Sequence, residues 1–322
     1  MDGHVNPNDD FNGDGQSDIV FQNILANGAV YVWVMNGASV LKTSSGMPGV
    51  AGADWAVKGM GDFDGDGKSD IAFQNTASAD GAVYLWEMNG ASIANPGAGY
   101  VANAGKDWAV AGVGDFNGDG KSDIVFQNTA SSDGAVYIWA MNGTTIANPN
   151  AGYGGNAGKD WIVKGVGDFN GDGKSDIVFQ NTASADGAVY IWEMNGATIA
   201  NPGAGYVGDA GKDWVVKGVG DFNGDGVSDI VFQNTSANGA VYIWEMNGTT
   251  IANPSAGYVG NAGKDWVLAG VGDYNGDGKS DIAFQNANAS GSVYVWEMNG
   301  AHILNPDLGW VATAGADWHA TA

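Results

Sequence analysis

Hydrophobic positions in this chain come in runs of four to seven residues, cut by glycine and polar clusters, and no stretch carries the 3.6-residue period of a helix. One unit shows the pattern. Asp176-Ile-Val-Phe-Gln-Asn reads as a short strand, residues 182–187 as a Ser/Asp/Gly turn, and Ala188-Val-Tyr-Ile-Trp-Glu-Met as a second strand. Asn195-Gly196 is a hairpin signal. A brief strand, Ala197-Thr-Ile-Ala, is expected next, then Asn201-Pro202 and a loop reaching Lys212-Asp213. Trp214-Val-Val-Lys-Gly-Val is read as one more strand, running into the next polar loop. Both alternating sets of Ala-Val-Tyr-Ile-Trp are apolar, so this strand is expected to be covered on both faces.

The unit recurs six times. The polar loop that opens it starts at Asp10, Asp62, Asp115, Asp168, Asp221 and Asp273, so successive starts lie 52 or 53 residues apart. A fixed period of this length means stacked supersecondary units. Four short strands per unit, set around an axis, make a β-propeller, and six falls inside its usual range of four to eight blades. Asp317-Trp318-His319-Ala320 repeats the strand that precedes the other loops, while the first loop has no such strand before it. The expected fold is therefore all-β: a six-bladed β-propeller with four-stranded blades. Its ring is closed by the C-terminal strand completing the N-terminal blade, and residues 1–322 form a single domain.

The repeated loop reads D-F-N-G-D-G-K-S-D or a near copy. Oxygen-bearing residues stand at positions 1, 3, 5 and 9, and position 7 contributes only its backbone carbonyl. That alternation suits a hard cation with six to eight oxygen ligands, above all Ca²⁺, whereas Mg²⁺ demands a tighter octahedron. The ligand sets are Asp10, Asn12, Asp14, Gln16 and Asp18; Asp62, Asp64, Asp66, Lys68 and Asp70; and Asp115, Asn117, Asp119, Lys121 and Asp123. The later three are Asp168, Asn170, Asp172, Lys174 and Asp176; Asp221, Asn223, Asp225, Val227 and Asp229; and Asp273, Asn275, Asp277, Lys279 and Asp281. Val227 in place of Lys is harmless if only its carbonyl binds. An EF-hand is excluded, because position 12 is apolar (Phe126 in the third copy) where a bidentate Glu is required. A single such loop would be an ordinary Asn/Asp/Gly turn; six copies in register predict about six Ca²⁺ per chain.

Charge changes the picture next. The chain holds 36 acidic and 12 basic residues, a net charge of −24, and every basic residue is Lys. Without Arg or a basic patch, nucleic-acid binding is not expected. About half of the acid lies in the repeated loops, so the charge is first a ligand inventory and only then a solubility device. Cysteine is absent, which removes thiol chemistry and disulfides. No apolar run approaches the ~20 residues of a membrane span, so no membrane insertion is expected. The first residues lack a basic segment followed by an apolar run, so no signal peptide is read in this chain.

At these loops the chain resembles the FG-GAP/VCBS class of calcium-binding propeller repeats. The likeness rests on Asp-x-Asn/Asp-x-Asp-Gly-x-x-Asp followed by Ile-Val-Phe and runs through essentially the whole chain. It implies the calcium ligands named above and an extracellular or cell-surface location. The family's Phe-Gly/Gly-Ala-Pro signature is replaced here by Phe-Gln-Asn and Gly-Ala-Val-Tyr, so the bacterial branch, with its Trp-x-Met-Asn-Gly, is the closer relative. Partner binding of the integrin type is not transferred.

Enzymatic activity is not expected. His4, His302 and His319 have no zinc-like spacing. Glu87, Glu193, Glu245 and Glu297 recur at one strand position, but Val34 and Ala140 replace them in two units. A recognition or adhesion role is expected instead, with glycans or a surface protein as partner and weak contacts multiplied by repetition. The variable turns and the Asn201–Tyr206 type segment are the candidate contacts. The first unit lacks that segment, having residues 41–50 instead, and the sixth carries Trp310 near the Tyr position. Two recurrent Trp series, beginning at Trp33 and Trp55, suit wedge packing between blades at least as well as sugar stacking. A structural scaffold made by repeat amplification is the alternative.

Overall fold

The computed structural model describes every residue except 1–8, 24, 148, 150–151, 237, 253, 255–256, 287–290, 305, 307–308 and 322. Among the described residues there is no helix, and six four-stranded antiparallel sheets form the six blades. In blade 4 the strands, from the axis outward, are Trp161–Gly167, Asp176–Asn181, Ala188–Trp192 and Tyr206–Asp209. Blades 2, 3, 5 and 6 repeat this order, with first strands Trp55–Gly61, Trp108–Gly114, Trp214–Gly220 and Trp266–Gly272. In blades 2 to 6 the Asp loop joins the first strand to the second, and the first copy leads into the second strand of blade 1, which brings all six loops to one face around the axis.

Ring closure follows the expected route. Blade 1 is the sheet of His319–Thr321, Ile19–Asn23, Ala29–Trp33 and Gly46–Val50, so its innermost strand comes from the other end of the chain. His319 pairs with Gln22, Ala320 with Phe21 and Thr321 with Val20. Asp9 then takes over the ladder, its carbonyl accepting from the Asp18 N–H at 2.8 Å.

One expectation needs correction. The Ala197-Thr-Ile-Ala segment is no blade strand: Thr198–Ile199 pairs only with Met194–Asn195 in a two-residue ribbon at the rim. The outermost strand is Tyr206–Asp209, inside the segment read as a loop. Its glycine content hid it. A Cβ on Gly205 would lie 1.9 Å from the Ile191 carbonyl oxygen, so only glycine lets this strand dock with the local register shift seen beside Tyr206.

The core is divided among the blade interfaces. Between blades 4 and 5, Phe169, Val178, Val189 and Ile191 meet Val216, Ile230, Phe232 and Met246, all essentially buried. The second strand, burial-covered along nearly its whole length, explains its unbroken apolar run. Gly165 faces the next blade, where its Cβ would come 2.5 Å from Val219, so glycine here permits the inner strands to close on the axis.

Polar bonds reinforce each interface in the same way. The buried Gln180 amide donates to the Trp214 carbonyl at 2.8 Å and accepts from the Val216 N–H at 3.1 Å, clamping blade 5 to blade 4. Gln22, Gln74, Gln127, Gln233 and Gln285 do the same at the other interfaces, the last holding the C-terminal strand. The Ser N–H at loop position 8 donates to the first Asp carbonyl of the preceding blade, in all six cases at 2.6–2.7 Å. The Asn-Gly turn adds a bond from its Gly N–H to the carbonyl at loop position 2 of the preceding blade. Ser17 to Asp273 and Gly37 to Tyr274 carry both series across the closure.

Candidate metal centre

The loop curls because its own side chains cap its backbone. In the fourth copy, Asp168 Oδ1 accepts from the Gly171 and Asp172 N–H groups at 2.7 and 3.2 Å, and Oδ2 from the Gly173 N–H at 2.7 Å. Asn170 Oδ1 accepts from the Asp172 N–H at 2.9 Å, and Asp172 Oδ1 from the Lys174 N–H at 3.0 Å. These are linked Asx turns. Gly171 and Gly173, at φ +73° and +81°, supply the left-handed steps between them. The first-Asp and position-5 bonds recur in all six loops, so backbone donors alone hold the curl.

Position 9 is the buried member. Asp18, Asp70, Asp123, Asp176, Asp229 and Asp281 are at most 1% exposed. Asp176 Oδ2 accepts from the Phe169 N–H at 3.0 Å and Oδ1 from the Met194 N–H at 2.7 Å, tying the loop to the third strand's end. No ion pair to these carboxylates is seen among the described residues; Lys68 pairs instead with Asp66, and Lys106 with Asp107. Burial therefore pushes Asp123 and Asp176 up to about 7, and Asp18, Asp70, Asp229 and Asp281 to about 8, against the opposing pull of two backbone bonds in most of them. Neighbouring loop carboxylates push the same way.

This donor set fits a hard divalent cation. In the second loop Asp62, Asp64 and Asp70 offer carboxylate oxygens that all lie within 4.8 Å of one another. The other five loops carry Asn at position 3, which keeps an oxygen ligand and drops a charge. A buried carboxylate facing backbone N–H groups, other carboxylates and, in the third loop, the neutral Asn117 amide lacks a compensating positive charge, and an oxygen-coordinated ion supplies one.

Position 7 side chains reach toward the neighbouring loop, and Lys68 also pairs with Asp66 of its own loop at 3.5 Å. Lys68, Lys121, Lys174, Val227, Lys279 and Gln16 each lie over the position-4 glycine of the preceding blade's loop; Val227 Cγ2 would be 3.6 Å from a Cβ on Gly171. Lys121 also donates to Asn142. At the closure, Gln16 Oε1 and Ser17 Oγ are buried without a partner among the described residues.

Two further repeated features were only partly visible in the sequence. Along the outermost strands Tyr100, Tyr153, Tyr206, Tyr258 and Trp310 are 54–61% exposed. Tyr100, Tyr153 and Tyr206 each donate a hydroxyl to the residue three positions on, at 3.1, 2.8 and 2.9 Å. At two blade interfaces, members of both Trp series flank a cleft. A cavity of about 260 Å³ between blades 2 and 3 is lined by Asn103, Ala104, Trp108, Phe126, Tyr137 and Trp139. One blade on, the equivalent positions from Asn156 to Trp192 line about 170 Å³. The Gln clamps went unread, although Phe-Gln-Asn in every unit was their signal. His302 sits exposed on a rim ribbon and His319 in the closing strand; His4 lies outside the described residues.

Five overlapping stretches, 10–73, 62–126, 115–179, 168–232 and 221–284, match the model of the FG-GAP-like repeat. The chain belongs to the FG-GAP-like repeat family. Each FG-GAP stretch begins at the first Asp of a loop and ends in the strand after the next loop, so together they take in all six loops. Comparison with curated proteins finds no match. Among 44 matching chains of solved structures is one described as "Structure of Dos1 propeller", 12% identical, covering 84% of this chain with a TM-score of 0.37. This chain spans 61% of that chain's length. The six sheets themselves define the fold of this FG-GAP protein.

Proposed function

We propose that this FG-GAP propeller is a non-catalytic, extracellular recognition module that is stabilised by about six Ca²⁺ ions and binds glycans through weak, repeated contacts. The observation that carries the recognition reading is the exposed aromatic at the same point of the outermost strand in five blades, Tyr100 through Trp310. Burial of large aromatics is the norm, and a periodic set left facing water marks a contact surface. Aromatic faces suit the C–H faces of sugars, and equal spacing around a ring multiplies a weak affinity by effective concentration.

The metal's contribution is charge compensation within the loops. Positions 1, 3, 5 and 9 would hold it by side-chain oxygens and position 7 by its carbonyl. Six divalent ions would cancel half of the net charge of −24. Backbone curls, Gln clamps and Ser–Asp bonds keep the loops in one ring, so the ions brace the face while the outer strands stay free for contact. Extracellular calcium modules bind at ~10⁻⁴–10⁻³ M, which matches saturation outside cells.

The test is a glycan array and polysaccharide pull-down with the whole chain in calcium, and again in EDTA. Calcium-dependent retention on some glycans is the expected result. Retention on none across a broad panel refutes the glycan reading and leaves a scaffold built of near-identical blades.

A further inference from the structure

Resting on the glycan reading, we infer that the clefts between blades are the sugar sites, each taking one neutral pyranose ring against its aromatic walls. Three observations lead there. First, the space is built by the repeat: Trp108, Phe126, Tyr137 and Trp139 recur one blade on as Trp161, Phe179, Tyr190 and Trp192, around a cavity in each case. The gaps, about 170 and 260 Å³, open to solvent at equivalent interfaces, so the repeat builds the same half-open space twice. They fall below the ~300–1,000 Å³ of sites for drug-sized ligands, which limits the occupant to a single ring.

Second, the walls present aromatic faces at set angles. Trp108 stands edge-on to Tyr137 with centroids 6.1 Å apart, and Trp139 is tilted on Phe126 at 4.5 Å. Phe126 is buried, while the other three rings are half-buried and keep surface toward the opening. The neighbouring blade supplies the far side: Trp192 lies against Gly155, where a Cβ would be 3.3 Å from its ring.

Third, the lip is polar and uncharged. Asn103 lines the cavity and its Oδ1 accepts the Tyr100 hydroxyl at 3.1 Å, and Asn156 does the same for Tyr153 at 2.8 Å. With that oxygen engaged, the amide N–H groups have no protein acceptor among the described residues and are left to donate to a ligand hydroxyl. The lining carries no charged side chain, and a net charge of −24 disfavours acidic sugars, so the occupant is neutral. The hook varies around the ring. Asn103, Asn156 and Asn261 share one chemistry, Asp209 and Thr313 differ, and Val50 at the end of blade 1 has no hydrogen bond to offer. The clefts following blades 2, 3 and 5 are therefore the strongest.

The experiment titrates the whole calcium-loaded chain with methyl glycosides of glucose, galactose, mannose and N-acetylglucosamine, read by saturation-transfer NMR and tryptophan fluorescence. It is run beside a pull-down on the polysaccharides that retain the wild type. The variant Asn103→Ala/Asn156→Ala/Asn261→Ala changes exposed lip residues only, and an unchanged melt shows that it folds. At least one glycoside is expected to bind with a blue-shifted tryptophan signal, and the triple variant to lose affinity tenfold or more. A triple variant that retains polysaccharide like the wild type overturns the cleft site while the glycan reading stands. A wild type that retains no polysaccharide and binds no glycoside overturns both.

Discussion

Replacing Asp176 by Asn separates the two roles of the buried loop carboxylate. In the metal-bound protein Asp176 accepts the Phe169 and Met194 N–H groups and would ligate the ion. An Asn side chain has one acceptor oxygen, so one buried N–H loses its partner at a cost of ~1–3 kcal/mol. Losing a site that is filled at 100 times its dissociation constant costs about 2.7 kcal/mol more. For a chain of this size one kcal/mol corresponds to about 1.5 °C in melting temperature, so D176N should melt roughly 6–9 °C lower in calcium. In EDTA at pH 7.5 the balance differs. There the wild type carries a carboxyl that burial has raised to about 7 and no ion offsets, and Asn removes that burden. The expected deficit shrinks to ~4 °C or less, from the one lost hydrogen bond. Calorimetric melts under both conditions, with a calcium titration counting one ion fewer, make the comparison. Equal deficits with and without calcium, at unchanged stoichiometry, would refute the ligand role of position 9.

The metal-free wild type should show an inverted acid response. The six position-9 carboxyls have folded-state values of about 7–8, above the 3.8 of the free side chain, so the stability they confer is full below about 3.8 and lost as pH rises through 7–8. In EDTA the melting temperature should fall between pH 4 and pH 8, and in calcium it should not; a rise in EDTA over that window contradicts the assignment. Gln180→Leu strips the Trp214 carbonyl and Val216 N–H of their partner and should cost ~2–5 kcal/mol by denaturant melt, with calcium stoichiometry intact once folded. Val227→Lys should leave both calcium affinity and count unchanged in a titration, since the position-7 side chain lies over Gly171 of the preceding loop.

The Asp loops and six-fold ring were legible because both are local and repeated: ligand spacing, turn glycines and a fixed period all lie within one unit. The closing strand was legible for the same reason, as Asp317-Trp318-His319-Ala320 is a copy of segments elsewhere. What escaped depends on neighbours. Tyr206–Asp209 has a weak strand sequence, and only its docking against Ala188–Trp192 through Gly205 makes it one. The role of Gln180 needs the backbone of the next blade, which nothing in its own unit announces. The Trp positions were plain, yet the space between Trp161 and Trp192 belongs to an interface and is invisible along one chain.

The Ser-to-Asp bonds at the loop face run from blade to blade and return to their start, Ser17 to Asp273 completing the series. A linear array of coupled units frays from its ends, where detaching one unit breaks a single junction. A hoop has no ends, and freeing any blade means breaking two junctions at once. Opening should therefore be rare and all-or-none, which slows spontaneous unfolding and denies a protease its intermediate. When the hoop does part, it should part at blade 1, whose inner ladder is shared by two separate stretches of the chain, His319–Thr321 and Asp9, where each other blade uses one continuous strand.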